Sequence, residues 1–148
     1  MKSVIEIYKC LSPQPTVPDL PIALRDHVGV LIENTKLLVC GGTDFEDHDP
    51  KSCLIHTLGS DKWETFDYKM NENRLNAYAT LSEDRVIIIG GKTSDTNEEY
   101  LKSQEVFSLK NPSKGWVKES VSNKALNTQN CSQSSCFQSD VIIVIPCV

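Results

Sequence analysis

The sequence predicts an all-β protein built from repeated four-stranded antiparallel sheets of roughly fifty residues each. Three observations lead there. A short apolar run ends in a glycine pair twice, at Lys36-Leu-Leu-Val-Cys-Gly-Gly42 and at Arg85-Val-Ile-Ile-Ile-Gly-Gly91, and a degenerate copy follows at Val141-Ile-Ile-Val-Ile-Pro-Cys147. Other landmarks recur in the same order. The glycine pairs lie 49 residues apart, Arg25 and Arg74 49, Leu58 and Leu109 51, and Trp63 and Trp116 53. Finally, no stretch carries the 3.6-residue period of an amphipathic helix, so almost no helix is expected.

Taken in order, residues 3–10 alternate apolar and polar side chains and read as a strand. Glu6, Ile7 and Tyr8 match Glu105, Val106 and Phe107, which lie 99 residues later, about two periods. Residues 3–24 are therefore read as the end of a unit. Leu11–Pro21 contains four prolines, which cannot donate to a strand ladder, and reads as loop or edge.

The first full unit spans 25–73. It runs from Arg25 through a strand at His27–Glu33, a turn at Asn34-Thr35 and a second strand at Lys36–Cys40 to Gly41-Gly42. An acidic loop, Thr43–Lys51, leads to a third strand at Ser52–Leu58, a turn at Gly59–Lys62 and a fourth strand opened by Trp63. The second unit, 74–124, repeats this with Arg74, Ala77–Ser82, Arg85–Ile89, Gly90-Gly91, the loop Lys92–Lys102, Ser103–Leu109 and Trp116–Val121. Val86–Ile89 is apolar without alternation, the mark of a strand covered on both faces. Ser122–Asn130 reads as a polar linker. Within 125–148, Cys131–Phe137 and Val141–Ile145 read as the first hairpin of a third unit.

An Arg, a hairpin, Gly-Gly, a variable loop, a third strand and a Trp-led fourth strand, at a period near fifty, resembles the kelch repeat. The resemblance covers residues 4–145. The third copy departs from it, with Asn130 where the Arg belongs and Pro146-Cys147 in place of the glycine pair. Tyr100 stands between Gly-Gly and Trp in the second unit and has no counterpart in the first. The resemblance implies an incomplete kelch-type β-propeller with Arg25, Gly41, Gly42, Trp63, Arg74, Gly90, Gly91 and Trp116 as structural repeat residues. The glycines are expected at crowded positions with φ > 0. The tryptophans are expected against the next blade with their ring N–H bonded, and the arginines as multi-donor ties between blades.

Propellers close with about 4–8 blades, and this chain holds roughly three. Open blade faces and edges follow. The chain is read as a fragment of a larger propeller, with self-association through its open edges or marginal stability as the alternatives.

Composition excludes several classes. A net charge of −5 and scattered basic residues argue against nucleic-acid or acidic-membrane binding. The longest apolar run is Val141–Ile145, far short of the ~20 residues needed to cross a bilayer. Residues 1–8 do not read as a secretory signal. The compartment stays open between two readings: cytoplasmic, from the missing signal, and extracellular, if the chain is truncated at its start and its cysteines pair.

The six cysteines form no C-x-x-C pair and no zinc spacing with histidine, so no metal or cofactor is expected. Cys40 and Cys53 end and begin neighbouring antiparallel strands; they read either as a cross-strand disulfide or as two small buried thiols. His27 and His56 fall on strands and read as structural. No catalytic residues are assigned.

The kelch resemblance implies protein binding through the blade loops. The candidate contacts are Asp44, Phe45, Glu46, Asp47 and His48 in the first loop, Asp95, Asn97 and Glu98 in the second, and the 122–130 segment. Two alternatives stand beside this: a fragment of a copper-oxidase-like propeller enzyme, and a degenerate, non-functional copy.

Overall fold

A computed structural model describes residues 6–8, 17–44, 50–96, 99–121 and 142–144. It contains β1 (Glu6–Tyr8), β2 (Val28–Ile32), β3 (Lys36–Cys40), β4 (Cys53–Thr57), β5 (Glu64–Thr65), β6 (Tyr78–Ser82), β7 (Arg85–Ile89), β8 (Ser103–Ser108), β9 (Trp116–Ser120) and β10 (Ile142–Val144). Among the described residues the helical content is one 3₁₀ turn, Pro112–Lys114. The fold is all-β. Strands β2-β3-β4-β5 make one antiparallel four-stranded sheet and β6-β7-β8-β9 make another, while β1 pairs with β10 in parallel. The hairpin expected from Cys131–Phe137 and Val141–Ile145 lies outside the described residues, apart from β10.

Each sheet is a simple meander, and the turns follow from local chemistry. Glu33 and Asn34 take φ of 51° and 55° between β2 and β3, and Thr35 N donates to Ile32 O at 3.1 Å. This left-handed pair matches the twist of the strands it joins. Trp63 precedes the fourth strand instead of opening it, and β5 is only Glu64–Thr65. The ladder still continues through Phe66 N, which donates to Cys53 O at 2.8 Å.

Alternation along the strands divides the apolar residues between two cores. Val28, Val30, Ile32, Leu38, Cys40 and Cys53 of the first sheet pack with Val86, Ile88, Phe107 and Trp116 of the second, with Met70 from the linker between them. The opposite face of the first sheet buries Leu31, Leu37, Val39 and Leu54 with Leu24, and Val17, Leu20, Ile22 and Trp63 pack beside them. The first core is therefore the seam between the sheets. Phe107 anchors it, with ring centroids 5.1 Å from Phe66, 5.0 Å from Tyr68 and 5.4 Å from Trp116.

The tryptophans sit on the side opposite to expectation. Trp116 pairs with Phe107 across β8 and β9 and shares the face of Val86 and Ile88, which looks back to the preceding sheet. Its Nε1 donates to Tyr68 O at 3.2 Å. Trp63 likewise turns to the preceding segment and donates to Pro18 O at 2.9 Å. Strand parity fixes which residues share a face; only the order of the sheets in space decides which neighbour that face meets.

The glycine pairs have the same backbone in both sheets, φ +67° and +83° at Gly41-Gly42 and again at Gly90-Gly91. Their surroundings differ. A Cβ at Gly41 would fall inside the Arg74 carbonyl oxygen of the second sheet, and Gly42 N donates to that same oxygen at 3.2 Å. At Gly90 the nearest atom to an added Cβ is Leu101 O at 3.6 Å, an ordinary contact.

Gly90→Ala is predicted to cost only the left-handed backbone penalty of about 1–2 kcal/mol. Gly41→Ala should exceed it by about 2 kcal/mol or more, because the Arg74 carbonyl must move as well. Urea denaturation of the two variants checks this; equal losses would contradict it.

Candidate functional site

In an up-and-down sheet, the β3–β4 and β7–β8 connections and the β5–β6 linker all emerge at one end. The first and second carry the candidate contact loops, and the third carries Arg74. Short bridges tie this end together. Arg25 pairs with Thr43 and Leu75 with Lys92, each through two backbone hydrogen bonds of 2.8–2.9 Å. Asn76 N donates to Asp26 O at 2.9 Å, linking the two sheets where their first strands begin.

The bridges correct the register of the repeat. Thr43 and Lys92 each follow a glycine pair directly, so their partners Arg25 and Leu75 are equivalent positions. Asp26 and Asn76, with φ of 59° and 53°, confirm the match, being residue types that tolerate the left-handed region. The counterpart of Arg74 is therefore Leu24, and the two arginines do not form one repeat position. Strand pairing gives a second replacement: Val39 opposes Leu54 as Ile88 opposes Glu105. Where the second sheet places Arg74 and Glu105, the first places Leu24 and Leu54.

The Arg74–Glu105 pair is fully buried, each side chain 0% exposed. Arg74 Nε donates to Glu105 Oε1 at 3.3 Å. Nη1 donates to Gly90 O at 2.8 Å and Ser103 O at 3.0 Å, and Nη2 donates to Ser103 Oγ at 2.9 Å. Glu105 in turn accepts from Asn71 N at 2.7 Å, Asn71 Nδ2 at 2.9 Å and Glu72 N at 3.0 Å. Burying two charges is unfavourable unless each is paired and hydrogen-bonded, and this network meets that condition. It fastens the linker to β8 and sets the Arg74 carbonyl against the glycine turn of the first sheet.

Arg25 has a different role. Its side chain is 48% exposed and forms ion pairs with Asp26 and with Asp95 of the β7–β8 connection. It ties the rim of one sheet to the loop of the next through side chains at the surface. Of the other candidate contacts, Asp44 lies just beyond the Thr43 bridge, while Phe45, Glu46, Asp47, His48, Asn97 and Glu98, with the 122–130 segment, lie outside the described residues. Sequence reading did not single out Lys92, whose Nζ stands 5.0 Å from the Tyr100 ring centroid, or Tyr78, which is 64% exposed at the same end.

Cys40 and Cys53 are joined by a disulfide. They are directly opposed on β3 and β4 with Cα atoms 4.3 Å apart, the spacing of a non-hydrogen-bonded antiparallel pair. His56 is buried against Trp63, and its Nδ1 meets Lys62 O at 3.0 Å, which makes Nδ1 the protonated nitrogen. Among the described residues no group of three or more His, Cys, Asp or Glu is placed to hold a metal ion.

No protein-family model matches the chain, and no curated protein matches it in sequence. Among solved structures it is similar to one titled "Structure of YjhT", a β-propeller protein, with a TM-score of 0.55 and 16% sequence identity. The likeness covers 70% of this chain and 29% of that one, so the chain spans well under half of its neighbour's length.

Two predictions follow from the buried network. Arg74→Leu or Glu105→Leu alone should cost about 3–5 kcal/mol, because each leaves a buried charge without its partner. The double variant restores the apolar pair of the first sheet, and its loss should fall short of the sum of the singles by about 2 kcal/mol or more. Additive losses in urea denaturation would contradict this. The second concerns Glu72. The hydrogen bond from Lys118 holds its carboxyl below the ordinary 4.5, outweighing partial burial, and Arg74 and Ser103 act in the same direction. A lowered folded-state value stabilises the fold above the unfolded-state value, and that contribution is lost as pH falls through the folded one. Lys118→Met should therefore flatten the acid limb of stability against pH below 4.5. An unchanged limb would contradict the pairing.

Proposed function

We propose that the chain is a protein-binding module of kelch type, part of a larger propeller, that recognises its partner through the connections at one end of its sheets. The observation that carries the reading is the arrangement of that end. The β3–β4 and β7–β8 connections are the longest loops of their sheets and emerge side by side. The Arg25–Asp95 ion pair spans the rim between them. Rigid sheets that present variable loops suit recognition, since the loops can change while the scaffold stays. The repeated Gly-Gly turns and Trp-led outer strands support the kelch assignment. The likeness to a propeller of which it covers only 29% supports the reading as part of a larger one.

Replacing 44–50 and 93–100, which leaves the bridging residues Thr43, Lys51, Lys92 and Leu101 in place, with Gly-Ser segments of equal length tests this. Partner recovery in quantitative affinity capture should fall at least about tenfold, while the urea midpoint moves little, since loop changes cost little stability. Undiminished recovery from a folded variant would contradict loop-mediated recognition.

A further inference from the structure

The disulfide occupies a telling place. Cys40 and Cys53 are the last opposed pair of β3 and β4 before the connection, and Ile89 and Gln104 hold the same place in the second sheet. There the ladder runs one step further: Gly90 N donates to Ser103 O at 3.0 Å, and Leu101 N to Gly91 O at 2.8 Å. Among the described residues, no such bond joins Gly41 to Ser52. The covalent bond closes a ladder that lacks the extra step of hydrogen bonds found in the second sheet.

The strand ends that it joins carry the ties to the second sheet. Directly after Cys40 come Gly41, which packs on the Arg74 carbonyl, and Gly42, whose N–H donates to it. Just before Cys53, Lys51 O accepts from Met70 N of the linker at 2.9 Å. Both cysteines are also members of the apolar seam, 2% and 0% exposed. We propose that the Cys40–Cys53 disulfide is a redox clasp that controls how firmly the first sheet is held to the second.

The chemistry is thiol–disulfide exchange with a dithiol reductant. The pair is buried, so exchange proceeds when the strand ends open locally: one thiolate of the reductant attacks a sulfur of the pair and forms a mixed disulfide, and its second thiolate then displaces the protein sulfur. The Cys40–Cys53 bond gains two electrons and two protons and becomes two thiols, and the reductant ends as its own disulfide. The first sheet survives reduction, because its remaining strand pairs, from Lys36 opposite Thr57 to Val39 opposite Leu54, do not depend on the bond. What loosens is the pair of strand ends and, with them, the contact to Arg74.

Amide hydrogen exchange on the full chain, oxidised and after treatment with dithiothreitol, tests this. Gly42 and Asn76, which donate across the seam, should exchange on the order of tenfold faster after reduction. Gly90 and Leu101, which donate within the second sheet, should keep their protection. Unchanged protection at Gly42 and Asn76 would overturn the proposal by making the bond an inert filler. Loss of protection at all four amides would overturn it by making the bond a staple of the whole fold. The double variant Cys40→Ala, Cys53→Ala should show no response to dithiothreitol; a seam that still loosens on its addition would also overturn the proposal. None of these outcomes depends on whether the loops bind a protein.

Discussion

The buried Arg74–Glu105 pair is the contact on which the arrangement of the two sheets depends. Arg74 lies in the linker between them, and its guanidinium is held by β8, by Ser103 and by the Gly90 carbonyl. With that end fixed, its own carbonyl is presented to Gly41-Gly42 of the first sheet. One residue thus closes its own sheet with its side chain and grips the neighbour with its backbone. Glycine is required on the receiving side because any Cβ at position 41 would occupy the space of the carbonyl oxygen. The apolar seam gathers Phe107 and Trp116 into one buried cluster with Val30, Leu38 and the cysteine pair.

The first sheet solves the same problem without charge. Leu24 and Leu54 replace arginine and glutamate and join an apolar cluster with Leu37 and Val39. Replacing a buried ion pair by apolar residues of similar volume is commonly neutral or favourable, so both solutions are compatible with one fold. The charged version adds direction, because a guanidinium with several fixed acceptors tolerates little displacement. Arg25, displaced by one position, becomes a surface tie to Asp95 instead.

Much of this architecture was legible in the sequence. The Gly-Gly turns, the strand order and the four-stranded repeat follow from apolar runs bounded by turn residues. The equivalence of the arginines was misleading. The spacing differs between landmarks, 49 residues for the glycines and 53 for the tryptophans, so a single period cannot reveal a one-residue slip. The Leu24–Leu54 replacement was hidden because two leucines carry no chemical mark of the ion pair they stand in for. The side taken by Trp63 and Trp116 was also out of reach, since alternation says which residues share a face and not which neighbour that face meets. For the candidate site, the sequence pointed to acidic loops, while the ties that organise their bases, Arg25–Asp95 and Thr43–Arg25, depend on contacts between units far apart in the chain.

The central claim is that two consecutive sheets pack face to face across a seam locked by the Arg74 carbonyl. Methyl and aromatic nuclear Overhauser effects across that seam test it most directly. The account predicts cross-peaks from Val30 and Leu38 to Val86, Ile88 and the Phe107 ring, together with a slowly exchanging Gly42 amide. Cross-peaks confined within each sheet, with a freely exchanging Gly42 amide, would contradict it.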